Sequence, residues 1–313
     1  MKVAVVGAGI AGLMAARTLA DGGHEVVVFD KGRSPGGRLA TRRIGGGRFD
    51  HGAQFFTVRS DEFAAHVARW QDAGLVYEWS RGFGVVDGHP RFAVRGGMNA
   101  LAKHIAAGLT VRCNSLVFGI HRGDRATWEV RLDDASVSEC DALVVTSPLP
   151  QSYSLLVSGD VTIPELLWRT DYDRTLALLA LLDRPPEVPF PGGVQGVAPF
   201  QFVADNQAKG ISEAPAVTVH ADPAWSKAHW DDDHATTMHA LIELAAPFVG
   251  AAQVIESQLK RWRFATPQSI WPEPCWSPDD GTRVVLAGDA FAGPKVEGAA
   301  LSGLAAAARL CEL

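Results

Sequence analysis

Gly7, Gly9 and Gly12, with Asp30 about twenty residues on, have the types and spacing to hold a pyrophosphate and a ribose. Gly7 permits a tight turn, Gly9 lets backbone approach a phosphate, and Gly12 lets a helix pack close to a strand. Asp30 can accept hydrogen bonds from ribose hydroxyls and would repel a 2′-phosphate, which suits FAD or NAD over NADP. Those roles demand particular elements. Val3-Ala4-Val5-Val6 must be a buried strand, Ile10 and Ala11 must open a helix, and Glu25-Val26-Val27-Val28-Phe29 must form a second buried strand. The helix N-terminus then offers unpaired N–H groups and its positive dipole end to an anion.

The same opening, Met1-Lys2 and a mostly apolar stretch, has the outline of a secretory signal. Glycines at its centre, Arg17 and Asp21 behind it, and the lack of a convincing cleavage site favour strand-turn-helix instead. The whole chain, 313 residues, allows one to two domains. A formal net charge of −6 leaves no basic footprint for nucleic acid. Cys113, Cys140, Cys275 and Cys311 form no CxxC pair, which suits a reducing cytoplasm and argues against structural zinc. Beyond the first strand-helix unit no apolar run reaches the roughly 20 residues that span a bilayer, so a soluble protein without a membrane partner is expected.

A second loop sharpens the choice of cofactor. Lys31-Gly32-Arg33-Ser34-Pro35-Gly36-Gly37-Arg38 is too rich in glycine and proline to be helical, where an NAD dehydrogenase would usually start a helix. It brings Arg38, with its planar fork, towards the same pyrophosphate.

The acid followed by Gly36-Gly37-Arg38 resembles the flavin-containing amine oxidase superfamily, in which FAD lies across a Rossmann-type domain. Asp50-His51-Gly52-Ala53-Gln54-Phe55-Phe56-Thr57 resembles the renalase-like branch, whose members carry a GAQ-aromatic strand beside the flavin. The C-terminal end agrees: Arg283-Val284-Val285-Leu286-Ala287, then Gly288-Asp289, then Val296-Glu297-Gly298-Ala299 opening the last helix. Arg95-Gly96-Gly97-Met98 matches the superfamily's GGM segment, so the likeness covers essentially the whole chain.

The resemblance implies an α/β protein: a discontinuous Rossmann-type FAD-binding domain plus a mixed-sheet α+β substrate domain. The first is expected over residues 1–56, 94–150 and 266–313, the second over 57–93 and 151–265. FAD would be held non-covalently by Gly7, Gly9, Ala11, Gly12, Asp30, Lys31, Gly37 and Arg38. Ala53, Gln54 and Phe55 would line the ring, the Val117 backbone would meet the adenine, and Gly288 and Asp289 the ribityl chain. Val296, Glu297, Gly298 and Ala299 would present a helix N-terminus to the flavin pyrimidine, where it would stabilise reduced flavin. The implied activity is oxidation of dihydronicotinamide isomers, 2- or 6-dihydro-NAD(P), by hydride transfer to flavin N5, with O2 taking the electrons as H2O2. Oxidation of a small amine is the alternative.

His220 and Lys295 are the candidate catalytic groups, and His220, Trp225, Trp262 and Arg263 the candidate substrate contacts. Each of three has a structural alternative: His220 as a hydrogen-bonded sheet histidine, Trp262 as an interdomain plug, Lys295 as an exposed loop lysine. Residues 111–120, 128–132, 175–182 and 216–220 are expected strands, 141–148 is an expected buried strand ending in a small-residue turn, and a helix is expected after Asp231-Asp232-Asp233, running to about Val249. Those aspartates favour a helix N-terminus, and with His234 and His239 they lack metal-ligand spacing, so no metal is expected. No GxSxG elbow occurs, and Ser302 is expected to serve small-residue packing in the last helix.

Overall fold

A computed structural model describes residues 1–123 and 127–313. In chain order the first elements are β1 (Lys2–Val6), α1 (Ile10–Asp21), β2 (Glu25–Phe29), β3 (Thr41–Ile44), β4 (Gly47–Asp50) and α2 (Asp61–Asp72). Then come β5 (Val76–Ser80), β6 (Arg91–Val94), α3 (Asn99–Ala106), β7 (Thr110–Arg112), β8 (Val117–Arg122) and β9 (Trp128–Leu132). β10 (Val137–Cys140), β11 (Ala142–Val145), α4 (Leu149–Ser158), α5 (Glu165–Trp168), β12 (Tyr172–Leu182) and β13 (Gly193–Gln195) follow. The last third holds β14 (Phe200–Asp205), β15 (Ala216–Ala221), α6 (Pro223–Ala228), α7 (His234–Leu244) and α8 (Ala246–Val249). It closes with β16 (Val254–Pro267), β17 (Val284–Leu286) and α9 (Lys295–Glu312).

The chain divides into two compact units: Met1–Gly37, Ala102–Asp171 and Pro267–Leu313 in one, Arg38–Leu101 and Tyr172–Thr266 in the other. These boundaries differ from the expected ones. Residues 38–56 join the second unit because the β3–β4 hairpin buries Ile44 and Phe49 against Leu179 and Leu181 of β12. Residues 151–171 join the first because α4 hydrogen-bonds to β8 through Ser158, whose hydroxyl accepts from Ile120 N at 3.0 Å.

The first unit is built on a parallel sheet in the order β17-β11-β1-β2-β7. Its central strands are apolar on both faces, as strands covered from both sides must be. The order reverses around β1, so the end of that strand is the switch point where α/β sheets bind ligands. An antiparallel sheet, β10-β9-β8, completes the unit. The single strand expected over 111–120 is broken in two. Asn114 has φ of 51°, a turn conformation that ends β7 and restarts the chain in β8.

The second unit has a five-stranded sheet, β13-β14-β15-β12-β16, whose first four strands pair antiparallel. Alternation along β12 and β15 sorts its two faces. Leu176, Leu178, Val217, Val219 and Ala221 form a core with Leu241, Ala245 and Val249 from α7 and its C-terminal extension. Leu179, Leu181 and Ala216 lie on the other face, under the β3–β4 hairpin. The helix expected after Asp231-Asp232-Asp233 starts at His234, with Asp233 capping it by accepting from Ala235 N and Thr236 N, but it breaks into α7 and α8 at Ala245.

Candidate functional site

In the first unit the glycine turn is built as its spacing demands. Gly7 has φ of +106°, which only glycine takes readily, and its N–H donates to Phe29 O at 2.8 Å. Gly12 sits so close to the turn that a Cβ there would lie 2.0 Å from Gly7 O. At Gly9, the N-cap of α1, a Cβ would meet nothing within 4 Å. The backbone at Gly9 therefore faces an open cradle, while Gly7 and Gly12 are enclosed by protein. Ala11, in the first turn of α1, is buried.

Asp30 is committed to the same turn. Its Oδ2 accepts from Ala8 N and its Oδ1 from Gly32 N, both at 2.6 Å. Each oxygen keeps lone-pair capacity for a ribose hydroxyl. The Lys31–Gly37 loop folds back on the turn, with Gly36 N donating to Ala8 O at 2.8 Å and Gly37 at φ of +52°. Lys31 is exposed and its Nζ reaches Gln151 Oε1 at 3.4 Å. The stretch before Val117 returns to the acid: Ser115 N donates to Asp30 O at 2.9 Å.

The C-terminal contribution has a similar logic. Gly288 has φ of +144°, and its N–H donates to the buried Ser302 hydroxyl at 2.8 Å. Ser302 is thus a bonding partner of the Gly288-Asp289 turn and more than packing. Asp289 is buried beside it. α9 opens with Lys295, Val296, Glu297, Gly298 and Ala299, and a Cβ at Gly298 would lie 1.9 Å from Gly293 O. Lys295 itself is exposed, at φ of 75°.

Sequence reading missed Thr146. Its hydroxyl, at the end of β11, donates to Val6 O at 2.9 Å and Gly7 O at 3.3 Å, holding the glycine turn from the neighbouring strand. The only sequence signal was a small-residue turn after a buried strand.

In the second unit a polar cluster gathers on the hairpin side of the sheet. The His51 carbonyl accepts from Trp262 Nε1 at 2.6 Å and from His220 Nε2 at 3.1 Å. A carbonyl only accepts, so His220 carries its proton on Nε2. Gln54 Nε2 donates to Asp50 O at 2.6 Å and Gly52 O at 3.2 Å, which leaves its buried Oε1 without a partner. The 3.5 Å approach of Gln54 Nε2 to His220 Nε2 is then a contact between two donors. The His51 ring stacks on Trp262 at 5.3 Å, and its buried Nδ1 also lacks a partner.

Electrostatics keep both imidazoles neutral at pH 7. Burial, opposed by the hydrogen bond to His51 and helped by the Lys209 charge, lowers the pKa of His220 to about 4. Burial, then Lys260, His220 and Arg42, lower that of His51 to about 3. Sequence analysis had not singled out Asp50 or Lys209, which form an ion pair at 2.7 Å with both side chains fully buried.

The remaining candidates spread out. Arg38 is fixed in the second unit, its guanidinium donating to Ala265 O at 3.2 Å and lying over Tyr172. Ala53 N donates to Arg38 O at 2.8 Å. Phe55 packs with Trp79, Phe83 and Phe202. Trp225 packs on the helical core with His229, on the sheet face opposite His220, so the two are not brought together. Arg263 is exposed and neighbours Trp262 on a strand, so it projects to the other face.

Residues 5–70 match an NAD(P)-binding Rossmann-like domain, and residues 62–311 match flavin containing amine oxidoreductase. The chain belongs to the flavin containing amine oxidoreductase family. Cyclohexylamine oxidase from Brevibacterium oxydans has the same fold, with a TM-score of 0.75 at 15% identity over 100% of this chain and 99% of that one. Putrescine oxidase bound to putrescine superposes with a TM-score of 0.74 at 14% identity, covering both chains completely. A 4,4'-diapophytoene desaturase of Staphylococcus aureus (strain Newman) is 40% identical over 75 residues, 23% of this chain and 15% of the desaturase. A flavin family and a Rossmann-type dinucleotide-binding domain together give FAD as the cofactor. The open cradle at Gly9, the helix N-terminus behind it and the free lone pairs of Asp30 fit its pyrophosphate and ribose. Among the described residues no helix is long and apolar enough to cross a membrane.

Proposed function

We propose that this flavoprotein oxidises a dihydronicotinamide nucleotide, a 2- or 6-dihydro isomer of NAD(P), and passes the electrons to O2 as hydrogen peroxide. FAD supplies the hydride acceptor when bound. The observation that carries the reading is the charge and proton state of the His51–His220 cluster. His220 gives its Nε2 proton to the His51 carbonyl and has a pKa lowered to about 4, so its imidazole is a weak base towards a substrate at pH 7. Loss of hydride from a dihydronicotinamide releases no proton and needs no base, whereas an ammonium must first be deprotonated. Lys260 and Arg42 add positive charge beside His51, and the Asp50 carboxylate is already matched by Lys209. Such surroundings favour a phosphate-bearing substrate over a cationic one.

Within this reading the residues of the first unit bind and orient the dinucleotide. In the second, the Gln54 oxygen offers a buried acceptor suited to a carboxamide N–H, and Trp262 fixes the peptide on which His220 rests. Lys295, exposed at the head of α9, contributes charge at that helix N-terminus. Four unpaired cysteines support a cytoplasmic setting.

Amine oxidation is the second reading, favoured by the aromatic group of Phe55, Trp79, Phe83 and Phe202. Against it, Lys209 Nζ, 5.1 Å from the Trp79 ring centre, already takes the cation's place on that ring. The test is anaerobic mixing of the holoprotein with borohydride-reduced NAD while the flavin spectrum is followed. Rapid bleaching, reversed by air with release of peroxide, is expected. A protein that stays yellow with this mixture and bleaches with putrescine or cyclohexylamine would replace the first reading by the second. His220→Ala should slow bleaching without loss of flavin.

A further inference from the structure

Lys209 and Asp50 form a fully buried ion pair, and neither is given a cofactor or substrate contact above. Burying a charge without purpose is costly, and such pairs are seldom the most stabilising choice for a core. Their connections suggest what they do. Asp50 Oδ1 accepts from the Thr41 hydroxyl at 2.6 Å and from Met98 N at 2.8 Å, and Oδ2 accepts from Lys209 Nζ at 2.7 Å. One carboxylate thus ties the β3–β4 hairpin, the turn before α3 and the turn between β14 and β15.

The last of these turns is itself built to deliver the lysine. Asp205 Oδ1 accepts from Gln207 N and Ala208 N, and Asn206 Nδ2 donates to Thr218 Oγ1 at 2.9 Å. Thr218 shares a face of β15 with His220, two residues on. The Asp50 main chain continues directly into His51, and its carbonyl orients the Gln54 amide. Both polar groups of the cluster therefore hang from elements that the pair fastens.

We propose that Asp50 and Lys209 are positioning residues: their ion pair fixes the 51–54 segment against β15, which sets the Nε2 proton of His220 on the His51 carbonyl and leaves the Gln54 oxygen as a free acceptor. The functional consequence rests on the reading that His220 and Gln54 serve substrate oxidation. Three cations act on the two imidazoles, Lys209 from the β14–β15 turn, Lys260 from β16 and Arg42 from β3, with the Asp50 carboxylate on Lys209. Of these only Lys209 is fully buried with a hydrogen-bonded partner, so its removal changes geometry as well as charge.

The experiment compares holoprotein carrying Lys209→Met with the charge-balanced double variant Asp50→Asn, Lys209→Met. The double variant guards against misfolding, since it leaves no unpaired buried charge. Two readouts are taken: the histidine side-chain ¹⁵N NMR spectrum, which reports the His220 tautomer, and the limiting rate of anaerobic flavin reduction by borohydride-reduced NAD. Expected are retained flavin, loss of the fixed Nε2–H tautomer, and a limiting rate lower on the order of tenfold to a hundredfold, with half-saturation little changed. A folded double variant that keeps the wild-type tautomer would overturn the proposal. So would one whose tautomer changes while the limiting rate stays the same. If the wild type is reduced by neither this mixture nor an amine, the functional reading fails, and the tautomer alone decides whether the pair positions His220.

Discussion

Gly9 and Gly12 stand three residues apart, yet the structure predicts opposite failures when each gains a methyl group. At Gly12 a Cβ would fall 2.0 Å from Gly7 O, where ordinary contact begins near 3.4 Å. Backbone cannot swing aside as a side chain can, so α1 must lift off the turn. Overpacking of this kind costs roughly 1–3 kcal/mol, and the helix-propensity gain of alanine over glycine returns about 1. The contact is severe enough to place Gly12→Ala at the upper end, a net loss of about 2 kcal/mol and a Tm lower by roughly 3 °C in the apoprotein.

At Gly9 φ is −76° and ψ 179°, extended backbone that alanine accepts, and the added methyl touches no protein atom. Apoprotein stability should change by less than about 1 kcal/mol. The methyl instead occupies the cradle. Each charge-assisted hydrogen bond to the pyrophosphate that it prevents costs about 1.5–3 kcal/mol, or roughly 10- to 150-fold in Kd. Gly9→Val should purify colourless. Thermal unfolding of the apoproteins and titration with FAD by flavin fluorescence separate the two effects. A Gly9→Ala protein that binds FAD as tightly as wild type, or a Gly12→Ala apoprotein with wild-type Tm, would refute the reasoning.

At Gly303, inside α9, a Cβ would lie 2.1 Å from Ala11 O, so Gly303→Ala should push α9 off α1 and, after the same helix-propensity gain, cost roughly 2 kcal/mol in thermal unfolding. Asp30→Ala removes the acceptor for Ala8 N and Gly32 N; both a lower apoprotein Tm and weaker FAD binding are expected, and an effect on FAD alone would deny the carboxylate its part in the turn. His51 and His220 have folded pKa values of about 3 and about 4, below the unfolded 6.5, so the unfolded chain binds more protons between these limits. Their contribution to stability is complete above pH 6.5 and lost as pH falls towards 4, by about 1.4 kcal/mol per unit for each histidine. Tm measured from pH 7.5 to 4.5 should fall, and His220→Gln should flatten the slope; an unchanged slope would mean that His220 is not neutral by burial.

The nucleotide half of the protein was legible in its sequence because its determinants are local. A strand, a glycine turn and a helix follow one another within residues 2–21, and each glycine answers a backbone demand made by its immediate neighbours. β12 and β15 were legible for a related reason, since continuous apolar runs must be buried wherever they lie. The break at Asn114 was not, because a left-handed turn residue carries little signal inside an otherwise apolar stretch. Tertiary structure alone decided what surrounds His220. Its partners His51, Gln54 and Trp262 come from distant segments, and Trp225, only five residues along the chain, is carried to the other face of the sheet. Asp50 and Lys209 are 159 residues apart, and nothing in either segment marks them as a pair. Periodicity tells a side chain which face of its own element it occupies. Only the packing of hairpin on sheet decides which other side chains share that face.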